Sequence, residues 1–592
     1  MTSRPYLVLT WRAGAANDTA AVAAGWLREA GWTLAVARRG LSAWVRPERP
    51  APVTERSDHA LVIGRWIPRA ASSTHDAAPA TAEARARRLC RDGFGGYVAL
   101  LEDPAGGPWC AFRDPSGAVE ALAWTWADLA VLASGLELAP AALRPARLAL
   151  DWRVIADFVR RPVAMGSAVA LDGLQGLAPG ELRRVGAAAE AGVQLWTPLH
   201  WVAHPDEDPD PELRLRETVQ SAVAGLLAPY GRVVVELSGG FDSSVVAAAL
   251  VRAGLADRVA AALHYVGDRR EADERPWAQA IAAHLGLPLQ PVTRPADAAI
   301  DPAEFAPVVR EARPPYAALD TARDVDSAER LQALGAEAIV TGKGGDSNFF
   351  QMPTPAVLAD RLRAKGLAAF ADPAGPAMAR WLRRSLWSVS REALRPGPVW
   401  SGEGPGRFGG AALGEIPAAP AHPWLAGLEA APPGKRVQVA ALVGTQLSVG
   451  ASRRSRVADV VQPLLAQPVM ELCLSLPSWR LLDGGRDRAL ARRAFAGWLP
   501  EAVAWRRSKG MLTSIYARRL AAGLGPVRAY LLDGVLVGAG LLDRAAIEAA
   551  LCEEALMRST EAFDLVTACA LEAWVRRWQT LVPDRPPRPR PA

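Results

Sequence analysis

The sequence predicts an α/β protein in which a strand-rich first third precedes a doubly wound parallel sheet. Over the first 200 or so residues, short apolar runs alternate with Gly, Pro and Asp turns. From about residue 212 the pattern changes to short strands flanked by long amphipathic stretches. A third observation joins the two structure types. Residues 233–246, VVVELSGGFDSSVV, place a buried strand, a paired-glycine turn and a helix start in immediate succession.

The candidate strands of the first part are Tyr6–Thr10, Leu61–Ile63, Tyr97–Leu101, Trp109–Arg113 and Ala121–Trp124. Pro205, Pro209 and Pro211, with acidic residues between them, mark a linker. Beyond it, Val233–Leu237, Ala260–Tyr265 and Ala338–Thr341 read as strands of the parallel sheet. Residues 396–434 are rich in Gly, Pro and Ala and read as a long loop or insertion with room to move. Helical sequence then runs to about residue 580, and the Pro/Arg string 581–592 reads as a disordered tail. The division is 1–205, 212–580 and the tail.

Ser238-Gly239-Gly240-Phe241-Asp242-Ser243-Ser244 is suited to holding phosphate. Glycine lets the backbone approach closely, and free N–H groups at a helix start point at an anion. Asp242 would repel phosphate unless a divalent cation lay between them, so the loop implies Mg²⁺. It is not a Walker loop, which needs Gly-Lys-Ser/Thr after a four-residue gap. The same string also suits an ordinary glycine turn capped by serine.

Composition narrows the classes. The 592 residues exceed one core, and half are hydrophobic. The net charge of +6 is the small difference between 68 basic and 62 acidic residues. No basic run carries interleaved aromatics, so nucleic acid is not expected as a partner. No apolar stretch reaches membrane-spanning length, and the apolar run at the N-terminus is too short for a signal peptide. Cys90, Cys110, Cys473, Cys552 and Cys569 are scattered without a CxxC pair, which suits a reducing cytoplasm. His200 and His204 are four apart, but Pro198 and Pro205 flank them, so a surface linker is expected there in place of a regular helix or a metal site. Only four residues are lysines, Lys343, Lys365, Lys435 and Lys509, and two fall inside motifs.

Five segments, in order, resemble the asparagine synthetase family over most of the chain. Gly93-Phe94-Gly95-Gly96-Tyr97 with Phe112-Arg113-Asp114-Pro115-Ser116-Gly117 is similar to strands of that family's glutaminase domain, and Leu174–Glu181 to its closing strand. SGGFDSS is similar to the pyrophosphate loop of the ATP pyrophosphatases. Ile339–Asp346 is similar to a second phosphate and metal loop, and Arg507-Ser508-Lys509-Gly510 to a late lysine motif. The resemblance implies a glutaminase-like, Ntn-type α+β sandwich followed by an ATP pyrophosphatase domain. It implies ATP and Mg²⁺ as cofactors. Leu237, Ser238, Gly239, Gly240, Asp242, Ser243 and Ser244, with Gly342, Lys343 and Gly344, would bind nucleotide. Asp242 and Asp346 would hold the metal, and Lys509 would neutralise charge building on the phosphates. Carboxylates capping helix starts are the plainer reading of both aspartates.

The departures refine this expectation. The family's glutaminase uses Cys at position 2, and here it is Thr2. With no internal ammonia supply, the nucleophile should be an amine already on the substrate. That pattern resembles the β-lactam synthetases and, more closely, the lasso peptide cyclases, which adenylate an Asp or Glu side chain of a precursor peptide and join it to the peptide's N-terminal amine. Lys343 stands where β-lactam synthetases carry a catalytic tyrosine, and Ser347-Asn348-Phe349-Phe350 follows Asp346 in place of an acidic residue. The expected function is an ATP-dependent macrolactam-forming ligase of a ribosomally made peptide, releasing AMP and pyrophosphate. The resemblance implies a precursor, a leader-binding protein and a leader peptidase as partners. An ammonia-dependent amidotransferase, a small-molecule ring former and an inactive binding module are the alternatives.

Overall fold

The computed structural model describes residues 4–582 except 13–17, 70–79, 104–106, 187–189, 206–207, 267–272, 294–297, 307–309, 317–318, 371–372, 398–406, 508–512 and 559–560. Thr2, Lys509 and the tail from 583 onward, which carries most of the predicted disorder, therefore lie outside the described residues.

Two six-stranded sheets, antiparallel throughout, form the first part. One centres on Tyr6–Thr10, paired with Leu41–Val45 on one side and Leu129–Ala133 on the other. The other centres on Gly93–Glu102, paired with Ala60–Pro68 and Trp109–Arg113. All five residues of Tyr6–Thr10 are buried because the strand is covered on both faces. Tyr6 and Val8 join Leu61, Val98 and Leu100 in a core between the sheets. Leu7 and Leu9 join Ala23 and Leu27 of the helix Asp18–Glu29 on the outside. On the opposite flank, Ala82, Ala86 and Cys90 of the helix Ala82–Asp92 pack on Val62, Ala99 and Phe112. Strand alternation thus yields helix, sheet, sheet, helix.

The N-terminal segments singled out by sequence meet in space. The buried Arg113 guanidinium donates to Leu177 O at 2.7 Å and Gly117 O at 2.8 Å. Asp114 accepts from Tyr97 N at 3.0 Å and Ser116 N at 2.8 Å. Burial pushes the Asp114 carboxyl up to about 6 despite these donors.

The second sheet system is a five-stranded parallel sheet in the order Leu289–Thr293, Val259–Val266, Val233–Glu236, Ala338–Val340, Asp459–Val461. Val233 and Val235 face one core and Val234 the other, as a strand covered by helices on both sides requires. Sequence reading missed both edge strands. Pro291 obscures the first, and Asp459–Val461 spans only three residues. The sheet runs outward in both directions from Val233–Glu236, so a crevice opens between it and Ala338–Val340 at their carboxyl ends.

Two expectations are corrected. Pro198–Ala203 is a short helix, with Pro198 at its first position, where a missing N–H costs nothing. The described part of the 396–434 block is packed. Trp424 is fully buried, its ring 5.1 Å from that of Trp196, and its indole N–H donates to Pro179 O at 3.1 Å. Ala419 N donates to Asp157 at 2.7 Å, and His422 N donates to Ala164 O at 2.8 Å. Among the described residues no single helix is long and apolar enough to cross a membrane.

Candidate active site

The two glycine loops leave the adjacent strands Val233–Glu236 and Ala338–Val340 and meet at the crevice. In the first, Gly239 has φ +77, and a Cβ there would lie 2.8 Å from Glu274 O. Only glycine takes that conformation in that space. Gly240 N-caps the helix Phe241–Arg252 without a capping side chain, and Asp242 falls in the first turn. Ser238 and Ser243 share a hydroxyl–hydroxyl bond of 2.9 Å. Ser244 turns inward and donates to Gly240 O at 2.8 Å.

In the second loop, Gly344 precedes the single-turn helix Gly345–Asn348, which carries Asp346. A Cβ on Gly345 would lie 2.5 Å from Asp242 Oδ1. The absence of a side chain at Gly345 is what lets the second loop close against the first. Ser347, at the position of the departure from the family pattern, bonds Thr445 Oγ1 at 2.7 Å and Ala441 O at 3.1 Å. Phe349 and Phe350 are buried in the core.

The two aspartates converge on one cationic group, which sequence reading did not find. Arg488 donates through Nε to Asp242 Oδ1 at 2.9 Å and through Nη2 to Asp242 Oδ2 at 2.7 Å. The same Nη2 pairs with Asp346, and Nη1 with Asp487. Arg488 is 4 % exposed and adopts φ +53, an uncommon conformation for a residue with a Cβ. Its N–H donates to Phe350 O at 3.0 Å, which fixes the turn. The flanking carboxylates hold its guanidinium more firmly protonated than an isolated one, against the cost of burial.

Around this centre lies a cavity of about 440 Å³. Of the predicted binding residues, Ser238, Gly240, Asp242, Ser243, Gly342, Lys343 and Asp346 line it. Leu237, Gly239, Ser244 and Gly344 support its walls without lining it. Lys509 lies outside the described residues, but its neighbour Arg507 lines the cavity. Sequence reading also missed Arg323, Arg454 and Arg506. Arg506 stacks on the Trp277 ring at 3.7 Å, pairs with Glu274 at 2.7 Å and donates to Gly239 O at 3.2 Å. Cation stacking, an ion pair and a backbone bond tie it to the first loop. Arg454 pairs with Glu236 at 3.1 Å, and Arg323 pairs with the same carboxylate. None of the described lining residues comes from 407–434, so the described part of the insertion does not wall this cavity.

Among the described residues, seven basic and five acidic side chains line the cavity. Excess positive charge and helix starts suit a polyanion. The donor set fits Mg²⁺ as well. Two hard carboxylates meet at one cation position, and Mg²⁺ is usually held by one or two carboxylates with phosphate oxygens and waters completing its octahedron. No cluster of three or more His, Cys, Asp or Glu side chains able to hold a metal occurs among the described residues. A metal here would therefore arrive with its phosphates.

Comparison with protein families matches residues 214–576 to the family described as asparagine synthase. The chain belongs to the asparagine synthase family. The match spans both glycine loops and Arg488, and covers more than half of the chain. No curated protein matches the chain. Among solved structures, it is similar to a glutamine phosphoribosylpyrophosphate amidotransferase from B. subtilis complexed with ADP and GMP. Identity is 10 %, the TM-score is 0.19, and the match covers 48 % of this chain and 65 % of that one. The chain thus spans just under two thirds of that relative.

Proposed function

We propose that this asparagine synthase family member is an ATP-dependent lasso peptide cyclase. It adenylates an Asp or Glu side chain of a precursor peptide and closes a macrolactam with the peptide's N-terminal amine. The observation that carries the ATP chemistry is the convergence of Asp242 and Asp346 on one cation position above two adjacent parallel strands. When bound there, Mg²⁺ would neutralise phosphate charge and set the triphosphate in line. Ser238, Ser243 and the N–H groups at the start of the helix Phe241–Arg252 bind the leaving pyrophosphate. Arg488 and Arg506 offset charge that builds on it, together with Lys509. The substrate carboxylate attacks the α-phosphorus, pyrophosphate leaves, and an amine of the same peptide displaces AMP.

The choice of an internal amine rests on the resemblance to the lasso peptide cyclases. The two-sheet region, taken as 1–205, then serves as a scaffold of glutaminase type, and 212–580 as the ATP pyrophosphatase domain. The partners are the precursor peptide, a leader-binding protein and a leader peptidase, in the cytoplasm. Incubation with ATP, Mg²⁺ and leader-free precursor peptide is expected to release pyrophosphate and a peptide lighter by one water. Turnover with ammonia and aspartate in its place would favour the amidotransferase reading.

A further inference from the structure

Ring closure needs a proton acceptor, and the cavity offers few. Its described lining contains no histidine, tyrosine or cysteine. All five of its carboxylates are ion-paired to arginine. Asp242 and Asp346 are held by Arg488, Glu236 by Arg454 and Arg323, Glu274 by Arg506, and Asp487 by Arg492. Such pairing commits the oxygens of each to a guanidinium. The arginines cannot give up a proton in a protein.

Lys343 is different. It lines the same cavity, between the strand Ala338–Val340 and the turn that carries Asp346. Its backbone is pinned by an N–H bond to Thr341 Oγ1 at 3.3 Å, yet among the described residues its Nζ makes no hydrogen bond or ion pair. The charged groups facing it are Arg454 from the helix Arg453–Val457, Arg323 from the helix Thr321–Ala333, and Asp346. Glu236, the carboxylate beside the two guanidiniums, is taken up by both. Burial penalises a charged amine here, and a third positive charge beside the two guanidiniums adds to the penalty.

We propose that Lys343 is the general base of ring closure, an inference that rests on the ligase reading above. The neutral peptide amine forms the C–N bond to the acyl carbon. The electron pair of the acyl–oxygen bond leaves with AMP, and the proton shed by the new amide nitrogen passes to Lys343 Nζ, then to water. Burial and the two guanidiniums push this amine down to about 7, against the pull of Asp346, so much of it is free to accept a proton at neutral pH.

The test separates the two steps. Pyrophosphate exchange into ATP, measured with leader-free precursor peptide, reports adenylation. Mass spectrometry reports closure. Hydroxylamine, a small nucleophile that is neutral at pH 7, reports capture of the acyl-adenylate without the base. For Lys343→Gln and Lys343→Arg, closure is expected to fall about 100-fold or more, and at least about tenfold further than exchange or hydroxamate formation. Full closure by Lys343→Arg would overturn the proposal in favour of a charge role. Exchange falling in step with closure would overturn it in favour of a phosphate contact. Selective ¹³C labelling gives one signal for each of the four lysines, and a Lys343 signal titrating above about 9 would overturn the base without touching the ligase reading. Absence of exchange in the wild type would overturn that reading itself, and with it the base.

Discussion

Arg488 grips Asp242 with two parallel bonds, Nε to Oδ1 at 2.9 Å and Nη2 to Oδ2 at 2.7 Å. The fork-on-fork geometry fixes the carboxylate plane, and Asp346 meets the same nitrogen from the second loop. The guanidinium therefore stands where a divalent cation would sit, and holds two like charges together without one.

Arg488→Met should leave the facing carboxylates without their cation. Breaking a buried pair of this kind costs about 3–5 kcal/mol, toward the lower end here because Asp346 opens to solvent. Thermal melts should show a lower midpoint for the variant, and millimolar Mg²⁺ should recover more stability in the variant than in wild type.

Asp242→Asn and Asp346→Asn should each keep the fold and lower pyrophosphate release from ATP by about 100-fold or more. Equal release by the variants would assign the aspartates to helix capping alone.

Gly345→Ala places a methyl 2.5 Å from the Asp242 carboxylate. The loops must part to admit it. Activity should drop as far as in Asp242→Asn, and ATP-dependent protection from proteolysis should weaken, while the far-ultraviolet spectrum stays unchanged.

These loops were readable because their chemistry is local. Strand, paired glycines and aspartate follow one another within a dozen residues in 233–246, and again in 338–346. Arg488 was not readable. It lies far along the chain from both aspartates, in a protein whose basic residues are nearly all arginine, and only the tertiary fold brings it back. Trp424 was hidden for another reason. Its Pro- and Gly-rich surroundings signal irregular backbone, but irregular backbone can still be packed, and this segment is held by bonds to Pro179, Asp157 and Ala164. Five strands of the two-sheet region were legible in sequence, whereas Thr33–Arg38, Leu41–Val45, Val53–Ser57 and Leu129–Ala133 were not, and the order of the strands depends on long-range pairings that no local pattern encodes.

Trp424→Ala should destabilise the protein by about 3–5 kcal/mol, the usual cost of emptying a fully buried aromatic site. Denaturant melts would show a midpoint shift with little change in slope.

Lys435 is buried, donating to Gln438 Oε1 at 2.6 Å and Cys473 O at 3.0 Å. Burial lowers its amine from 10.5 to about 7. Between those values the unfolded chain holds the extra proton, so stability should rise with pH across this window and level off below it. Lys435→Met should flatten that slope in melts taken from pH 7 to 10.

The most direct measurement follows oxygen. Leader-free precursor peptide with ¹⁸O in its side-chain carboxylates is incubated with ATP, Mg²⁺ and the protein, and the nucleotide products are weighed. If the carboxylate attacks the α-phosphorus at the site of Asp242 and Asp346, AMP carries one ¹⁸O and pyrophosphate none. ADP with labelled phosphate, or AMP free of label, would contradict adenylation at this site.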